Sequence, residues 1–354
     1  MGEDAPQRVC MKKIVLSLLV LAALAFVTAL TPAARAQTPT FAVDRLVMAG
    51  APDDGVAIWR PDMANKTRFF EQVGLGLSIN PLRASNIADN LIVQRTLPGN
   101  PLTRQVIDYS NVGAEILGRL SIQVAFPLIV DQAGNRTRSP RMRTATPVTL
   151  DTVAAGDTRI EARGLILRTD DRVFKLALNA AVYVPTANKL TFAGDPGAGA
   201  AFGIAAEYDA TVVAVVLNAA YHYRPTVVFN ELPVSSEFQY GLGLYAPLRG
   251  GTIRLGAEFF GAVGANPNKE RVYNSAPPGA SMKSNVGDLD ATPLEWMLNG
   301  RMYFTPGRQV YAGLGAGTRL TGGFAPDFRA VAVVGGSLNV TDIAPKTSDA
   351  QEQE

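Results

Sequence analysis

Cysteine is almost missing from this 354-residue chain: the only one is Cys10, close to the first residue. No disulfide can staple the body of the protein, which must be held by packing and hydrogen bonding. Histidine is as scarce, with His222 alone. One imidazole and no nearby thiol leave no transition-metal ligand set, so no metal and no cofactor is expected. Charge of one sign is also missing: 33 Lys and Arg stand against 31 Asp and Glu, with no basic excess of the kind that marks a nucleic-acid partner. Beyond residue 36, long apolar runs are lacking too. The longest, residues 211–217, stops at Asn218, well short of the roughly 18 residues a membrane helix needs.

The one long apolar run lies at the front. After a ten-residue extension the chain restarts at Met11 as MKKIVLSLLVLAALAFVTALTPAARAQ. Lys12 and Lys13 form a basic leader, residues 14–30 an apolar core, and Ala34-Arg35-Ala36 a small-residue cleavage motif. Residues 1–36 therefore read as a signal peptide with an upstream extension, cleaved before Gln37.

Residues 156–185 define the fold class. They run GDTRIEARGLILR, then TDDR, then VFKLALNAAVYVP. Ile160, Ala162, Gly164 and Ile166 alternate with Asp157, Arg159, Glu161 and Arg163; Phe174, Leu176, Leu178, Ala180 and Val182 alternate with Lys175, Ala177, Asn179 and Ala181. A period of two gives a strand with two unlike faces. Strands of soluble sheets average about 5–6 residues, whereas a tilted membrane strand needs about 9–11. The hairpin has the membrane length.

The same rhythm recurs along the chain. Strands are expected at 70–80, 104–117, 120–128, 199–208, 211–224, 236–247, 253–259, 294–304, 309–320 and 328–339, which with the hairpin makes twelve. Pro127 has no N–H for a ladder, so a bulge or an end of regular pairing is expected there. Connections after odd strands are longer (81–103, 131–155, 186–198, 225–235, 265–291, 321–327), and those after even strands are turns of a few residues. Outer-membrane barrels sort their loops in this way. The expected fold is all-β: a transmembrane antiparallel up-and-down β-barrel of about 12 strands at residues 69–340, multi-pass in a cell outer membrane. Residues 37–68 read as a periplasmic lead-in that packs against or enters the barrel. Its Asp53-Asp54-Gly55 is an ordinary turn rather than a calcium loop. Residues 341–354 read as a disordered polar periplasmic tail, which leaves both termini periplasmic.

Strand phase then divides the side chains. Asp157, Arg159, Glu161, Arg163, Lys175, Glu207, His222, Arg224, Glu237, Arg254, Glu258, Glu295, Arg301 and Arg319 fall on the inward face and are expected to line the lumen. Phe174, Tyr208, Tyr223, Phe238, Trp296, Phe304 and Phe328 fall on the outward face near strand ends, where membrane-interface aromatics sit.

The FAVDRL lead-in, the GDTRIEARGLIL strand, the LIVDQAG loop start and the YHYRP strand end resemble the N-terminal barrel of OmpA-family outer-membrane proteins, over roughly residues 41–340. The resemblance implies a cell-envelope barrel of a Gram-negative bacterium, inserted by the barrel-assembly machinery among outer-membrane lipids. Members commonly continue into a peptidoglycan-binding domain. Here only TDIAPKTSDAQEQE follows Val340, so peptidoglycan anchoring is not carried over.

Catalysis is not expected. His222 falls on the inward phase, whereas a lipase base must be reachable from lipid, and no Ser or Asn near it has motif-like spacing. Two function classes remain open: a porin-like barrel passing small solutes through a charge-lined lumen, and a structural or interaction barrel whose lumen is closed by ion pairs.

Overall fold

The computed structural model describes residues 41–82, 102–134, 151–187, 191–229, 232–265, 292–305, 307–321 and 324–340. The expected signal peptide (residues 1–36) and polar tail (residues 341–354) lie outside these residues, as does most of the length of the connections 81–103, 131–155 and 265–291.

Twelve strands form the barrel: β1 (Arg68–Leu82), β2 (Leu102–Ile116), β3 (Leu120–Ala133), β4 (Thr158–Arg168), β5 (Phe174–Val184), β6 (Gly199–Asp209), β7 (Ala214–Tyr223), β8 (Glu237–Leu248), β9 (Ile253–Gly264), β10 (Leu294–Tyr303), β11 (Val310–Arg319) and β12 (Phe328–Asn339). Each pairs antiparallel with its chain neighbours, and β1 also pairs with β12 from Arg68↔Asn339 to Ile79↔Phe328. The ring is closed, which removes the exposed sheet edge that a membrane cannot tolerate. Ala154–Ala155 forms a short extra strand on β3, and Val227–Phe229 with Leu232–Val234 a small separate hairpin.

Even strands pass to odd ones through tight turns. Between β2 and β3 the backbone reverses at Leu117 and Gly118, both at positive φ. Between β4 and β5, Asp171 Oδ1 accepts from Thr169 Oγ1 at 2.5 Å and Val173 N at 3.1 Å; these bonds hold its carboxyl below the ordinary value.

The period-two pattern places polar groups inside and apolar groups outside. Phe202 is 63% and Leu314 70% exposed on the outer face, whereas Glu207 and Arg163 are 0% and 2% exposed inside. Outer apolar positions suit acyl chains; inner charges survive only if paired. Pro127 lies within β3. Pairing with β4 stops at Ala125↔Arg159, and pairing on that side resumes only with the short strand Ala154–Ala155, at Leu128↔Ala155, so the proline occupies the interruption. A bulge follows at Val130, where the β2–β3 register shifts.

At mid-strand, one outer-face acid breaks the pattern. Asp108, half-buried in the middle of β2, lies between Leu75 of β1 and Leu128 of β3 in the ladder. Its one hydrogen bond among the described residues comes from Ser110 Oγ, at 2.8 Å.

Candidate functional site: the barrel interior

The interior is occupied by the chain itself. Residues 41–67, here the lumen segment, run from the long-connection end to the start of β1. Phe41 packs at that end with Phe192 and Phe324, at 5.9 and 5.2 Å between ring centres, in a cluster with Leu82 and Leu102. Met48, Ile58 and Trp59 follow, each under 9% exposed. Residues 37–68 were expected as a periplasmic lead-in that packs against or enters the barrel; the described part, from Phe41, runs inside it. Inward glycines make room for it. A Cβ on Gly241 of β8 would fall 2.3 Å from Ile58 Cδ1, and one on Gly74 of β1 would fall 2.7 Å from Met48 Sδ.

A buried turn at residues 51–60 is the segment's anchor. Asp54 Oδ2 accepts Ala51 N at 3.0 Å, and Oδ1 accepts Arg60 N at 2.7 Å. Arg163 Nη1 donates to Asp54 Oδ2 at 2.6 Å and its Nη2 to Ala49 O at 2.6 Å. Glu258 of β9 receives Val56 N and Ala57 N on its two oxygens, at 2.8 and 2.7 Å. Arg254 donates to the carbonyls of Asp53 and Asp54, and Arg301 to that of Pro52. Arg159 Nη2 donates to Met48 O at 2.6 Å. A segment without regular secondary structure has backbone groups that need partners when buried, and the charged barrel wall provides them.

Ion pairs complete the contact. Arg60 makes a two-point pair with Glu207, at 2.7 and 2.9 Å, and Lys175 bridges Glu207 to Asp62 at 3.0 and 3.1 Å. Arg68 joins Asp53 at 2.6 Å to Glu115 at 2.8 Å, and Arg329 joins Asp44 and Glu295, both at 2.7 Å. Asp53 and Asp54 thus face guanidinium and amide donors, as a structural turn does.

Twelve of the fourteen residues expected in the lumen are buried on the inner face: Arg159, Glu161, Arg163, Lys175, Glu207, His222, Arg224, Glu237, Arg254, Glu258, Glu295 and Arg301. Asp157 sits just before β4, its carboxylate accepting Asp195 N at 2.7 Å and Ala187 N at 3.2 Å. Arg319 has the inward phase but ends its strand. It is 38% exposed and paired with Asp327 at 2.7 Å, so it marks the rim. The sequence reading missed Arg68, Glu115 and Arg329 in the strands and Arg45, Asp53, Asp54 and Arg60 in the segment. Arg68 precedes the strand expected at 70–80 but shares the phase of Gln72; Glu115 lies in β2, where polar residues fall on both faces, Asp108 and Ser110 outward and Asn111 inward.

The seven aromatics lie on the outer face. Phe174 is opposite Tyr208 at the short-turn end. Phe304 is at that end also, and Phe328 is opposite Ile79 at the other. Phe238 packs on Tyr221 at 5.1 Å beside Tyr223, and Trp296 Nε1 donates to Thr318 Oγ1 at 2.8 Å.

Among the described residues, the segment is flanked by a pair of cavities. One, of about 90 Å³, reaches Asn179 and Asn218. The other, of about 130 Å³, lies between the segment and β2, β3 and β7.

No family model and no curated protein matches the sequence. Among solved structures, the chain is similar to an outer membrane channel from Pseudomonas putida F1, with a TM-score of 0.55 over 78% of this chain and 97% of that one, at 12% identity. The NanC porin gives a TM-score of 0.44 over 76% of this chain and 98% of that one, at 7% identity. At these identities the likeness is one of fold. The chain is a closed twelve-stranded antiparallel barrel of the outer-membrane type.

Proposed function

We propose that the chain is an integral outer-membrane channel passing small solutes passively, with the lumen segment as its constriction. The pair of cavities flanking that segment carries the reading. They are lined with charged and amide groups, and the oxygens Asn179 Oδ1 and Asn218 Oδ1 are unpartnered among the described residues. A barrel of about eight strands is filled by side chains and one of 16–18 holds an open channel; twelve strands with one threaded segment leave an intermediate, polar bore. The sorting of loop lengths supports a periplasmic C-terminal end, whereas Phe41, at the long-connection end with Phe192 and Phe324, starts the lumen segment on the external side. The barrel-assembly machinery and outer-membrane lipids are the partners an outer-membrane barrel implies. Membership of the OmpA family rests on the sequence patterns quoted above. A non-catalytic role agrees with His222 being held inside, by Glu237 and the Tyr183 ring.

A second reading has its own observation. The turn at residues 51–60 is tied by buried ion pairs on several sides, which suits a permanently closed structural barrel with partner-binding external loops. Liposome swelling with neutral solutes of graded size separates the two. The channel reading predicts fast swelling with the smallest solutes and a sharp cut-off, and the structural reading predicts no swelling with any.

A further inference from the structure

The larger cavity has walls of two kinds. On one side Arg45 of the lumen segment, His222 of β7 and Arg224 gather around Glu237. Arg45 and Arg224 nitrogens stand 3.5 and 3.6 Å from its carboxylate, and Gln239 Nε2 donates to it at 3.2 Å. His222 Nδ1 lies 3.6 Å from the same carboxylate and 3.3 Å from Gln239 Nε2, a contact that leaves the proton on Nε2 when Nδ1 accepts. Arg45 Nε, Arg224 Nη1 and His222 Nε2 have no hydrogen-bond partner among the described residues, although Arg224 and His222 are only 2% and 7% exposed. The other acids nearby are already committed: Asp195 to Arg224, Asp157 to two backbone N–H groups, and Asp44 to Arg329. This wall has a surplus of donors.

The facing wall is different. β2 lies five strands from β7 in a ring of twelve, and there Gln105 Oε1 and Asn111 Oδ1 are buried acceptors with no partner. Leu46, Ile107 and Ile129 supply apolar surface to the same cavity. Buried donors without acceptors are unfavourable, and a carboxylate bound to guanidinium groups makes strong charge-assisted bonds. A cavity of about 150 Å³ takes benzene, and the volume of about 130 Å³ here is of that order, enough for one small planar ring.

We propose that this cavity binds a planar monocarboxylate of the size of benzoate. The carboxylate faces Arg45, Arg224 and His222, and the ring lies against Leu46, Ile107 and Ile129. A hydroxyl at the far end, where the molecule has one, meets Gln105 or Asn111. The proposal rests on the channel reading, for which it names a class of solute.

Isothermal titration of the full chain in detergent micelles tests it, with benzoate, 4-hydroxybenzoate, benzylamine and toluene as probes. Benzoate is expected to bind, 4-hydroxybenzoate more tightly, and the amine and the hydrocarbon at least tenfold more weakly. Arg45→Gln is expected to weaken benzoate at least tenfold, and Ile107→Trp, which fills the space, to abolish binding. Arg308→Gln, on an exposed turn, should change nothing. If Arg45→Gln fails to fold, Gln105→Leu and Asn111→Leu, made separately, keep the proposal testable, since one of the two should remove the preference for the hydroxylated probe alone. Equal binding of benzoate and benzylamine, or variants that bind like the parent, overturns the proposal. Titration requires no flux, and conductance without an organic solute requires no site, so either reading can fail without the other.

Discussion

Replacing Asp54 with Ala should release the lumen segment while leaving the barrel closed. The carboxylate is 1% exposed and accepts from Ala51 N, Arg60 N and Arg163 Nη1. Without it, two buried N–H groups lose their acceptor, at about 1–3 kcal/mol each. Arg163 keeps Glu161 and the Ala49 carbonyl but loses one of its two acids; breaking a buried pair is worth about 3–5 kcal/mol. These contributions overlap, so about 3–5 kcal/mol is expected against the docked arrangement. At about 1.4 kcal/mol per tenfold, docking should weaken by roughly 100- to 3000-fold. The ladders β1–β12 do not involve this side chain, so the variant should still insert and keep its β-sheet signal. Limited proteolysis should cut within residues 41–67 in the variant and not in the parent, and unitary conductance should rise several-fold. Asp54→Asn, which retains one acceptor oxygen, should fall between the two. An Asp54→Ala protein with parental conductance and parental protease resistance would refute the claim that this turn anchors the segment.

Further expectations follow from the two faces of the wall. Leu178→Arg places a charge on the lipid face at mid-strand and should destabilise refolding into lipid by about 2–4 kcal/mol, read from urea titrations. Phase alone suggests that Ala177→Arg should be far milder. Yet Ala177 is 0% exposed and packs with Trp59 and Ala49, so this change should also be costly, through expulsion of Trp59, and should raise conductance where Leu178→Arg does not. Asp108→Leu removes the mid-height acid from the outer face and should stabilise by roughly 1–2 kcal/mol, less than the Arg scale at the same depth; an unchanged or lowered midpoint would mean that this face does not meet acyl chains. Intact mass of the exported protein should correspond to a chain beginning at Gln37, and a chain beginning at Met1 or Met11 would contradict the leader reading.

The wall of the barrel was legible because the period of two is local and repeated. Arg159, Glu161 and Arg163 alternate with Ile160, Ala162 and Gly164, and no tertiary information is needed to place them on opposite faces. The contents of the barrel were not legible in the same way. Residues 41–67 follow no helical or strand period, because their backbone is satisfied by distant side chains: Glu258 for Val56, Arg159 for Met48, Arg301 for Pro52. Such pairings join positions about 100 to 250 residues apart, and local pattern carries no record of them. Asp53-Asp54-Gly55 was readable as a turn but not as a buried one. Inward glycines such as Gly241 were the available signal, since a lumen filled only by wall side chains has no need to shave Cβ atoms from its lining. Arg319 shows the complementary error: phase fixes the face of a residue, and only strand length fixes its height.

The central claim, that the lumen conducts past its own threaded segment, is tested most directly by single-channel recording of the parent protein in a planar bilayer. The account predicts small, discrete and stable conductance steps that grow several-fold in Asp54→Ala. A correctly folded, inserted parent that remains electrically silent would contradict it, even where Asp54→Ala conducts.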